Sequence, residues 1–475
     1  MFFNSFLFIG FLIAVLLFLF ASRLLGKSIA VRNGTLLAAS YFFYGYFNVG
    51  FMLILLFVTA VNYLSGRMLF NPQCRYRRSL VSVCVILSLC PLVFYKYALF
   101  LCKSFCSLLS LGLEFKFLDG LILPVGISFF TFQALSYTID VYRRKIVEKA
   151  GFWDFALFVS FFPTILSGPI EKGRNLLPQI KSYFLPKTED IVQGMCIFVW
   201  GLFKKMVVAD RLANYVDWAY GSSEYVSGTT LAVAAIFYSI QIYCDFSGYS
   251  DMALGVAKVL GFNITKNFRQ PYFSCTFKDF WRKWHISLTS WFTEYVYFSL
   301  GGSRVNSKMR WVFNISTIFL LSGIWHGAAW NFLIWGCLHA VYYLCEHFLG
   351  LQRKDIKWNF LTSALSGMGV FVLVTVAWIF FRVETFSQAI FIVEKICVDM
   401  GGRFSMGASS FTFVSTLMML FVLLCYELGI RKGFILYDVN NYKSRITRNL
   451  FALIPLLILL GMFGMSSDNF VYFQF

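Results

Sequence analysis

The sequence predicts an all-α, polytopic integral membrane protein, and three observations lead to that fold class. The 475 residues are 59% hydrophobic and 20% aromatic, with a mean hydropathy of +0.70. Only 13% of them are charged, compared with roughly 25% in soluble domains. Apolar runs of the length that crosses a bilayer, about 20 residues, recur from one end of the chain to the other.

These runs predict roughly eleven to thirteen transmembrane or re-entrant helices within one membrane domain, 1–475. The domain comprises N-terminal spans in 1–110, a central part in 111–350 and C-terminal spans in 351–475. No long Gly/Ser/Pro linker and no obvious repeat divides it. The first run is long enough to span, so we interpret it as a helix and not as a signal peptide. The runs lie at 2–21, 35–47, 51–64, 80–101, 118–137, 152–166, 191–208, 230–243, 312–324, 328–349, 361–381, 411–426 and 449–465.

The net charge of +18 is distributed in short basic clusters between the apolar runs. Such clusters are typical of cytoplasmic loops under the positive-inside rule, so the charge indicates topology and not a nucleic-acid partner. The clusters are Arg75/Arg77/Arg78, Arg143/Arg144/Lys145, Lys204/Lys205/Arg211, Arg282/Lys283 and Arg431/Lys432. The twelve cysteines are scattered through apolar segments with no C-x-x-C pair, which predicts small buried hydrophobic residues and neither disulfides nor a metal site.

Two segments contain helix-breaking residues near membrane depth. Pro124 precedes an apolar run and is expected at the head of a helix. Gly168-Pro169 interrupts the chain after the 152–166 run. A break at membrane depth is tolerated only where it is buried in protein or lines a wet cavity. This loop is therefore either a wall of a substrate passage or an ordinary turn at the membrane interface.

The 273–295 segment predicts one amphipathic helix in or near the membrane interface. Its apolar and aromatic residues follow the spacing of a single helical face, and the charged residues fall on the other side. By the same spacing His285 lies near Trp281, Trp284 and Leu288, on the buried side.

The chain has four histidines, at 285, 326, 339 and 347. His326 follows the uncharged 312–324 run and precedes another apolar run, so it is expected at membrane depth. An ionisable group there is a functional hypothesis, and a neutral imidazole can act as a general base near pH 7. The alternative is a hydrogen-bonded structural histidine. His347, beside Glu346 near the end of a run, is interpreted as an interfacial residue without a chemical role.

Asp245 and Asp251 flank a short polar segment after the 230–243 run, which predicts a helix break. They are candidates for a cation partner or an orienting group. The alternative is that Ser250 or Asp251 caps the next helix, which we favour for Asp251 but which does not apply to Asp245, directly after the apolar run. Several cations are candidates for neutralising Asp245 or for binding donor phosphates, and a lipid-facing basic patch is the alternative for each of them. These cations are Arg269, Arg282, Lys283 and Arg304. No G-x-S-x-G elbow, Walker A loop or G-x-G-x-x-G turn supports a serine hydrolase, an ATPase or a dinucleotide enzyme.

Three motifs resemble those of the membrane-bound O-acyltransferase family, in its bacterial alginate O-acetyltransferase branch. They are 245–253 (DFSGYSDMA), 280–288 (FWRKWHISL) and 321–328 (LSGIWHGA). Further similar stretches are 124–143, 161–170 and 201–210, and together they cover most of 1–350 in the family's order. Two departures affect the interfacial helix: Thr293-Glu294 stands where relatives commonly carry Arg-Asp, and Ser299 stands where Pro is usual.

The resemblance implies acyl transfer from a cytoplasmic thioester to a hydroxyl on the far side of the membrane, through a central funnel, with 111–350 as the catalytic core. The family's invariant histidine falls on His326 and its second histidine on His285. Around them we place supporting residues and a donor-phosphate set, with no bound cofactor and no metal. The supporting residues are Asp245, Asp251, Trp325, Ser322 and Asn331, and the donor-phosphate set is Arg282, Lys283 and Arg304.

The resulting hypothesis is transfer of an acetyl group from acetyl-CoA, a substrate, in the bacterial cytoplasmic (inner) membrane. The acceptor would be an extracytoplasmic SGNH-type acetyltransferase partner or a cell-surface polysaccharide. One alternative is transfer of D-alanine or another acyl group from a carrier-protein thioester. A second is a proton-coupled polysaccharide or lipid transporter with a His/Asp relay, although no inverted repeat supports it. A third is a scaffold without activity.

Overall fold

The computed structural model describes residues 1–25, 28–110, 115–182, 186–352, 359–432 and 442–465. The protein is 75% helical, and the described ranges contain no β-strand. The all-α fold class predicted from composition is therefore confirmed.

The described residues up to 221 form eleven helices, and most of their bounds follow the apolar runs. Short π-helical turns, Val93–Tyr97 and Phe203–Ala209, join α4 to α5 and α10 to α11. The helices are α1 (Phe6–Leu25), α2 (Ile29–Gly45), α3 (Val49–Leu69), α4 (Arg77–Leu92), α5 (Ala98–Leu108), α6 (Lys116–Asp119), α7 (Ile127–Tyr142), α8 (Phe152–Ser160), α9 (Gly173–Lys181), α10 (Thr188–Leu202) and α11 (Asp210–Gly221).

The described residues from 228 onward form nine helices, and three of the longer ones have side-chain N-terminal caps, as does the short helix that follows Thr276. Asn359 forms a reciprocal capping box with Thr362, and the hydroxyls of Thr385 and Ser409 accept from backbone N–H groups in the first turns of their helices. The helices are α12 (Gly228–Val259), α13 (Phe277–Lys283), α14 (Ile286–Phe292), α15 (Lys308–His326), α16 (Trp330–Phe348), α17 (Phe360–Arg382), α18 (Phe386–Val398), α19 (Ser410–Arg431) and α20 (Tyr442–Phe463).

Six helical stretches within the described ranges are long and apolar enough to cross a bilayer, so the protein is a multi-pass membrane protein. They are Val49–Leu69, Arg77–Leu108, Thr188–Gly221, Gly228–Val259, Phe360–Arg382 and Ser410–Arg431. Shorter apolar helices occupy Phe6–Ser22 and Leu453–Phe463. Other predicted runs form shorter elements, because turns interrupt them: α7 has 16 residues and α8 has nine.

The protein divides into two compact units, each described here by itself. One comprises Met1–Met195 with Ala253–Thr265, and the other comprises Cys196–Met252 with Lys266–Phe475. His285 and His326 both belong to the second unit. The division into 1–110, 111–350 and 351–475 stays a prediction.

In the first unit, the Gly168-Pro169 break lies in a buried, non-helical loop between α8 and α9. Gln133 of α7 binds both ends of the loop: its Nε2 donates to the carbonyl of Phe158 (2.5 Å), and its Oε1 accepts from the N–H of Glu171 (3.2 Å). Backbone polar groups must find partners when they are buried. The loop is thus enclosed in protein, which excludes an exposed turn at the membrane interface.

Candidate active site

His285 lies between two short helices, α13 and α14, and not within the single helix that the sequence predicts over 273–295. Its backbone adopts a left-handed conformation (φ 43°, ψ 55°), which costs a residue with a Cβ about 1–3 kcal/mol. The prediction of a continuous helix is wrong here, but the prediction that His285 faces the interior is confirmed, since only 1% of the residue is exposed.

Asn267 holds this junction in place. Its backbone carbonyl accepts from the N–H of Ile286 (2.9 Å), and its side-chain Oδ1 accepts from the N–H of Ser287 (3.2 Å). Its Nδ2 donates to the hydroxyl of Ser250 on α12 (3.2 Å). The segment before α13 therefore satisfies the backbone groups that the helix break exposes. Our sequence analysis missed Asn267, because its partners are remote in the chain.

His326 is the last residue of α15, and an extended Gly327 ends the helix there. The connection to α16 is short, and the two helices approach closely through Gly323 and Gly336. A Cβ on Gly336 would lie 2.5 Å from the carbonyl oxygen of Phe319. Glycine at this contact therefore fixes the position of the histidine relative to the α16 side chains.

The two histidines share an aromatic enclosure in the second unit. Their ring centroids are 6.3 Å apart, and Trp325 contacts both, at 5.7 Å from His285 and 5.0 Å from His326. Trp335 and Phe381 pack edge-on against His326 at 5.1 and 5.3 Å. His326 is 4% exposed. These contacts exclude bulk water, so electrostatic interactions within the enclosure are strong.

Burial lowers the pKa of His285 to about 3, so its imidazole is neutral at physiological pH. Phe246 of α12 packs edge-on against its ring at 4.6 Å, with an interplanar angle of 83°. A neutral imidazole carries one N–H donor and one acceptor nitrogen. His285 is therefore suited to donate a hydrogen bond, and His326 faces it from the end of another helix.

A cavity of about 260 Å³ lies among α13, α14, α15 and α16; neither histidine lines it, but residues on the helices that carry them do. Ser322, one helical turn before His326, lines it, as does Leu288 on the first turn after His285. The exposed Arg282 and the half-buried Lys278 add two cations to the same cavity. The space is therefore suited to a substrate that carries negative charge at one end.

The donor-phosphate set that we predicted is not brought together at this cavity. Arg282 lines it, but Lys283 forms an ion pair with Asp279 on the same helix (2.5 Å). Arg304 is exposed in the loop after α14 and is not among the residues that line the cavity. Lys278, which the sequence analysis did not single out, lines the cavity with Arg282.

Asp245 and Asp251 lie within α12, which continues through the polar segment where the sequence predicts a break. Lys205 Nζ binds Asp245 Oδ1 at 2.7 Å and Asp210 Oδ1 at 2.8 Å. Lys204 Nζ binds Asp251 Oδ2 at 2.7 Å. The predicted break is wrong, because these ion pairs neutralise the carboxylates inside the helix and no turn to water is needed.

The same contact corrects our interpretation of Lys204 and Lys205 as part of a loop cluster. Both are buried, at 2% and 3% exposure, in the π-helical turn between α10 and α11. Gly248 lies opposite them: a Cβ there would be 2.8 Å from the carbonyl oxygen of Gly201. Gly248 therefore permits close helix packing, which brings the lysines within reach of the aspartates.

The remaining candidates have distinct positions. The side chain of Asn331 donates from Nδ2 to the carbonyl of Val383 (2.7 Å), which anchors the start of α16 to the end of α17. His339 is fully buried between Trp335 and Trp281, at 4.8 and 4.9 Å. His347 is exposed and packs on Trp311.

Comparison with known proteins identifies similar sequences. A profile of the membrane-bound O-acyltransferase family matches residues 2–387. The "Probable alginate O-acetylase AlgI" of Azotobacter vinelandii is 36% identical, over 79% of this chain and 75% of its own. The "Peptidoglycan O-acetyltransferase" of Helicobacter pylori is 31% identical, over 93% and 91%. The "Teichoic acid D-alanyltransferase" of Bacillus subtilis is 30% identical, over 50% and 62%.

Proposed function

Because this chain belongs to the membrane-bound O-acyltransferase family and is an O-acyltransferase, we propose that it transfers an acetyl group from acetyl-CoA to a hydroxyl of a polysaccharide acceptor. The observation that carries the proposal is the buried pair of His285 and His326, whose ring centroids are 6.3 Å apart. A cavity with two cations is lined by Leu288 and Ser322 of the helices that carry the two histidines. The names of two relatives, an alginate O-acetylase and a peptidoglycan O-acetyltransferase, support acetyl as the group transferred.

In the proposed reaction, His326 accepts the proton of the acceptor hydroxyl as its oxygen attacks the thioester carbonyl. The new C–O bond forms and the C–S bond breaks, and the proton on His326 passes to the departing thiolate. General-base catalysis of this kind contributes about 10²–10⁴ in rate. The larger part of the acceleration then comes from positioning both substrates in a site without bulk water.

His285 stabilises the oxyanion that develops on the carbonyl in this scheme. Its low pKa keeps it neutral, so one ring nitrogen carries the N–H that donates to the oxyanion in this scheme. The junction with a left-handed backbone fixes the direction of the ring. Trp325 contacts both histidines and so fixes the position of one imidazole ring relative to the other.

In this scheme Arg282 and Lys278 bind the phosphates of the donor, because both line the same cavity as Leu288 and Ser322. Arg304 and Lys283 are assigned to the surroundings of that site and not to the cavity itself. Acetyl-CoA is cytoplasmic, and the acceptor glycan is outside the cell. We therefore place the protein in the bacterial cytoplasmic membrane, where it serves an SGNH-type acetyltransferase partner or the polysaccharide directly.

Labelled acetyl-CoA tests the chemistry. Purified protein in nanodiscs should release free CoA and transfer label to alginate or peptidoglycan fragments, or to water when no acceptor is present. His326→Gln should reduce this rate by about 10²-fold or more. The matched control is His347→Gln, at an exposed histidine on α16, which should keep full activity. Full activity in the His326 variant would refute the assignment.

The same assay separates the alternatives. A D-alanyl carrier-protein thioester offered in place of acetyl-CoA should give no transfer. Transfer from the carrier alone would identify the aminoacyl activity named for the Bacillus subtilis relative. Proton-coupled flux of glycan without covalent modification would instead identify a transporter.

A further inference from the structure

A second cavity, of about 410 Å³, lies in the second unit among α12, α17, α19 and the turn at Pro271–Phe273. Most of its lining is apolar, and its polar side chains are Tyr243, Gln270, Tyr272 and Glu427. It is distinct from the cavity that Leu288 and Ser322 line, since the two share no lining residue. Tyr272 lines it and packs against Trp284 (6.0 Å), the residue that precedes His285.

Glu427 is the unusual group in this cavity. The residue is 5% exposed, and its Oε1 accepts a hydrogen bond from the hydroxyl of Tyr243 at 2.8 Å. Its Oε2 is buried and accepts no well-formed hydrogen bond from the described residues, although the side chain of Gln270 lies close to the carboxyl group. A buried carboxylate oxygen without a partner is costly, and a native site that keeps one commonly serves a ligand.

The nearby lysine is already neutralised. Lys204 Nζ lies 5.5 Å from the centre of the Tyr243 ring, but it binds Asp251 at 2.7 Å and the hydroxyl of Ser247 at 2.8 Å. Within the described part of the chain, no cation lies within ion-pair distance of Glu427. The cavity thus contains a buried carboxyl group that forms no ion pair, since the nearest lysine is bound to Asp251.

The rest of the lining complements a cation with a hydrocarbon tail. Rings of Tyr243, Tyr272, Phe273 and Phe371 surround the space, and aromatic faces attract ammonium groups. Leu420 and Leu424 of α19 extend the apolar part. α19 lies beyond residue 387, where the family match ends, so this cavity draws on a part of the chain outside that match.

We propose that this cavity binds the head of an alkylammonium amphiphile, with the ammonium against Glu427 Oε2 and the aromatic rings, and the alkyl chain along the leucines of α19. The ammonium donates a hydrogen bond to the free lone pairs of Oε2 and supplies the missing positive charge. A membrane-resident amphiphile is the source, because α17 and α19 are both of spanning length and composition.

Binding of radiolabelled dodecylamine to the full chain in dodecyl maltoside micelles tests the proposal. We expect one saturable site per chain, with dodecanol and dodecyl sulfate failing to compete. Glu427→Gln should weaken binding by about tenfold or more. Glu394→Gln, which removes a charge from an exposed carboxylate on α18, is the matched control and should bind as the parent does.

A second variant keeps the test decisive if Glu427→Gln fails to fold. Leu420→Trp fills the cavity and leaves the carboxylate in place, and it should cause a comparable loss. Unchanged binding in Leu420→Trp, equal competition by dodecanol, or non-saturable uptake would overturn the proposal. Equal affinity for ethylamine would overturn the role of the alkyl chain. None of these measurements depends on acetyl transfer.

Discussion

Substitution of Lys204 by methionine tests whether the buried ion pairs of α12 stabilise the fold or take part in chemistry. Lys204 is 2% exposed, and its Nζ lies 2.7 Å from Asp251. Removing one partner of a buried pair leaves an uncompensated charge, which costs about 3–5 kcal/mol. The side chain of Asp251 is 15% exposed and gains some hydration, so we expect a loss of about 3 kcal/mol.

The double variant Lys204→Met/Asp251→Asn removes both charges and should recover most of that loss, because a neutral pair has no buried charge to compensate. Unfolding of the protein in mixed micelles measures stability, and CoA release per folded molecule measures activity. A double variant no more stable than Lys204→Met would refute the ion-pair explanation. A stable double variant without activity would show that the pair acts in the reaction.

Three further predictions concern single residues of the second unit. In the unfolded state His285 is protonated below its usual pKa of about 6.5, whereas in the folded state burial lowers its pKa to about 3. Between these two pH values the unfolded state therefore binds one more proton than the folded state. The free energy of unfolding of the parent protein should therefore fall by about 2 kcal/mol between pH 7 and pH 5 through this residue. In thermal unfolding, the decline of the His285→Gln variant over the same pH range should be smaller by that amount. Gly248→Ala places a Cβ 2.8 Å from the carbonyl oxygen of Gly201 and should destabilise the protein by about 1–3 kcal/mol, whereas unchanged unfolding would contradict the close packing. Asn331→Leu leaves the carbonyl of Val383 without its donor, and we expect a loss of about 1–2 kcal/mol with little change in CoA release per folded molecule. A large fall in that rate would instead assign Asn331 to the reaction.

Composition and helical periodicity were sufficient to predict two features of this protein, its fold class and the burial of His285. The low charge and recurrent apolar runs were sufficient for the all-α membrane fold, which the structure confirms. The helical spacing of Trp281, Trp284 and Leu288 was sufficient to predict that His285 is buried. Both inferences need only local patterns, since burial and span length follow from the sequence of one segment.

Features that depend on a distant partner were missed. The polar residues within α12 predict a turn when the segment is considered alone, and Lys204 and Lys205 predict a loop. The ion pairs between the two segments, which keep both helical, join residues that are remote in the sequence. The sequence did contain one indication of this pairing. Two adjacent lysines lie in the apolar run 191–208, and two carboxylates follow the apolar run 230–243. Likewise, nothing local to 273–295 indicates that Asn267 holds His285 in a left-handed conformation.

The pairing of Lys205 with Asp245 also bears on how the chain enters the membrane. The α10–α11 stretch is synthesised before α12, since Asp245 is 40 residues later in the sequence than Lys205 (245 minus 205). Each lysine at the centre of a span disfavours insertion by roughly 2.5–3.5 kcal/mol. At about 5–20 residues per second, the partner arrives some seconds later. Lys205 also has Asp210 of α11 as a partner within its own stretch, whereas Lys204 pairs with Asp251 of α12. Deletion of α12 should therefore weaken the insertion of α10–α11 chiefly through Lys204.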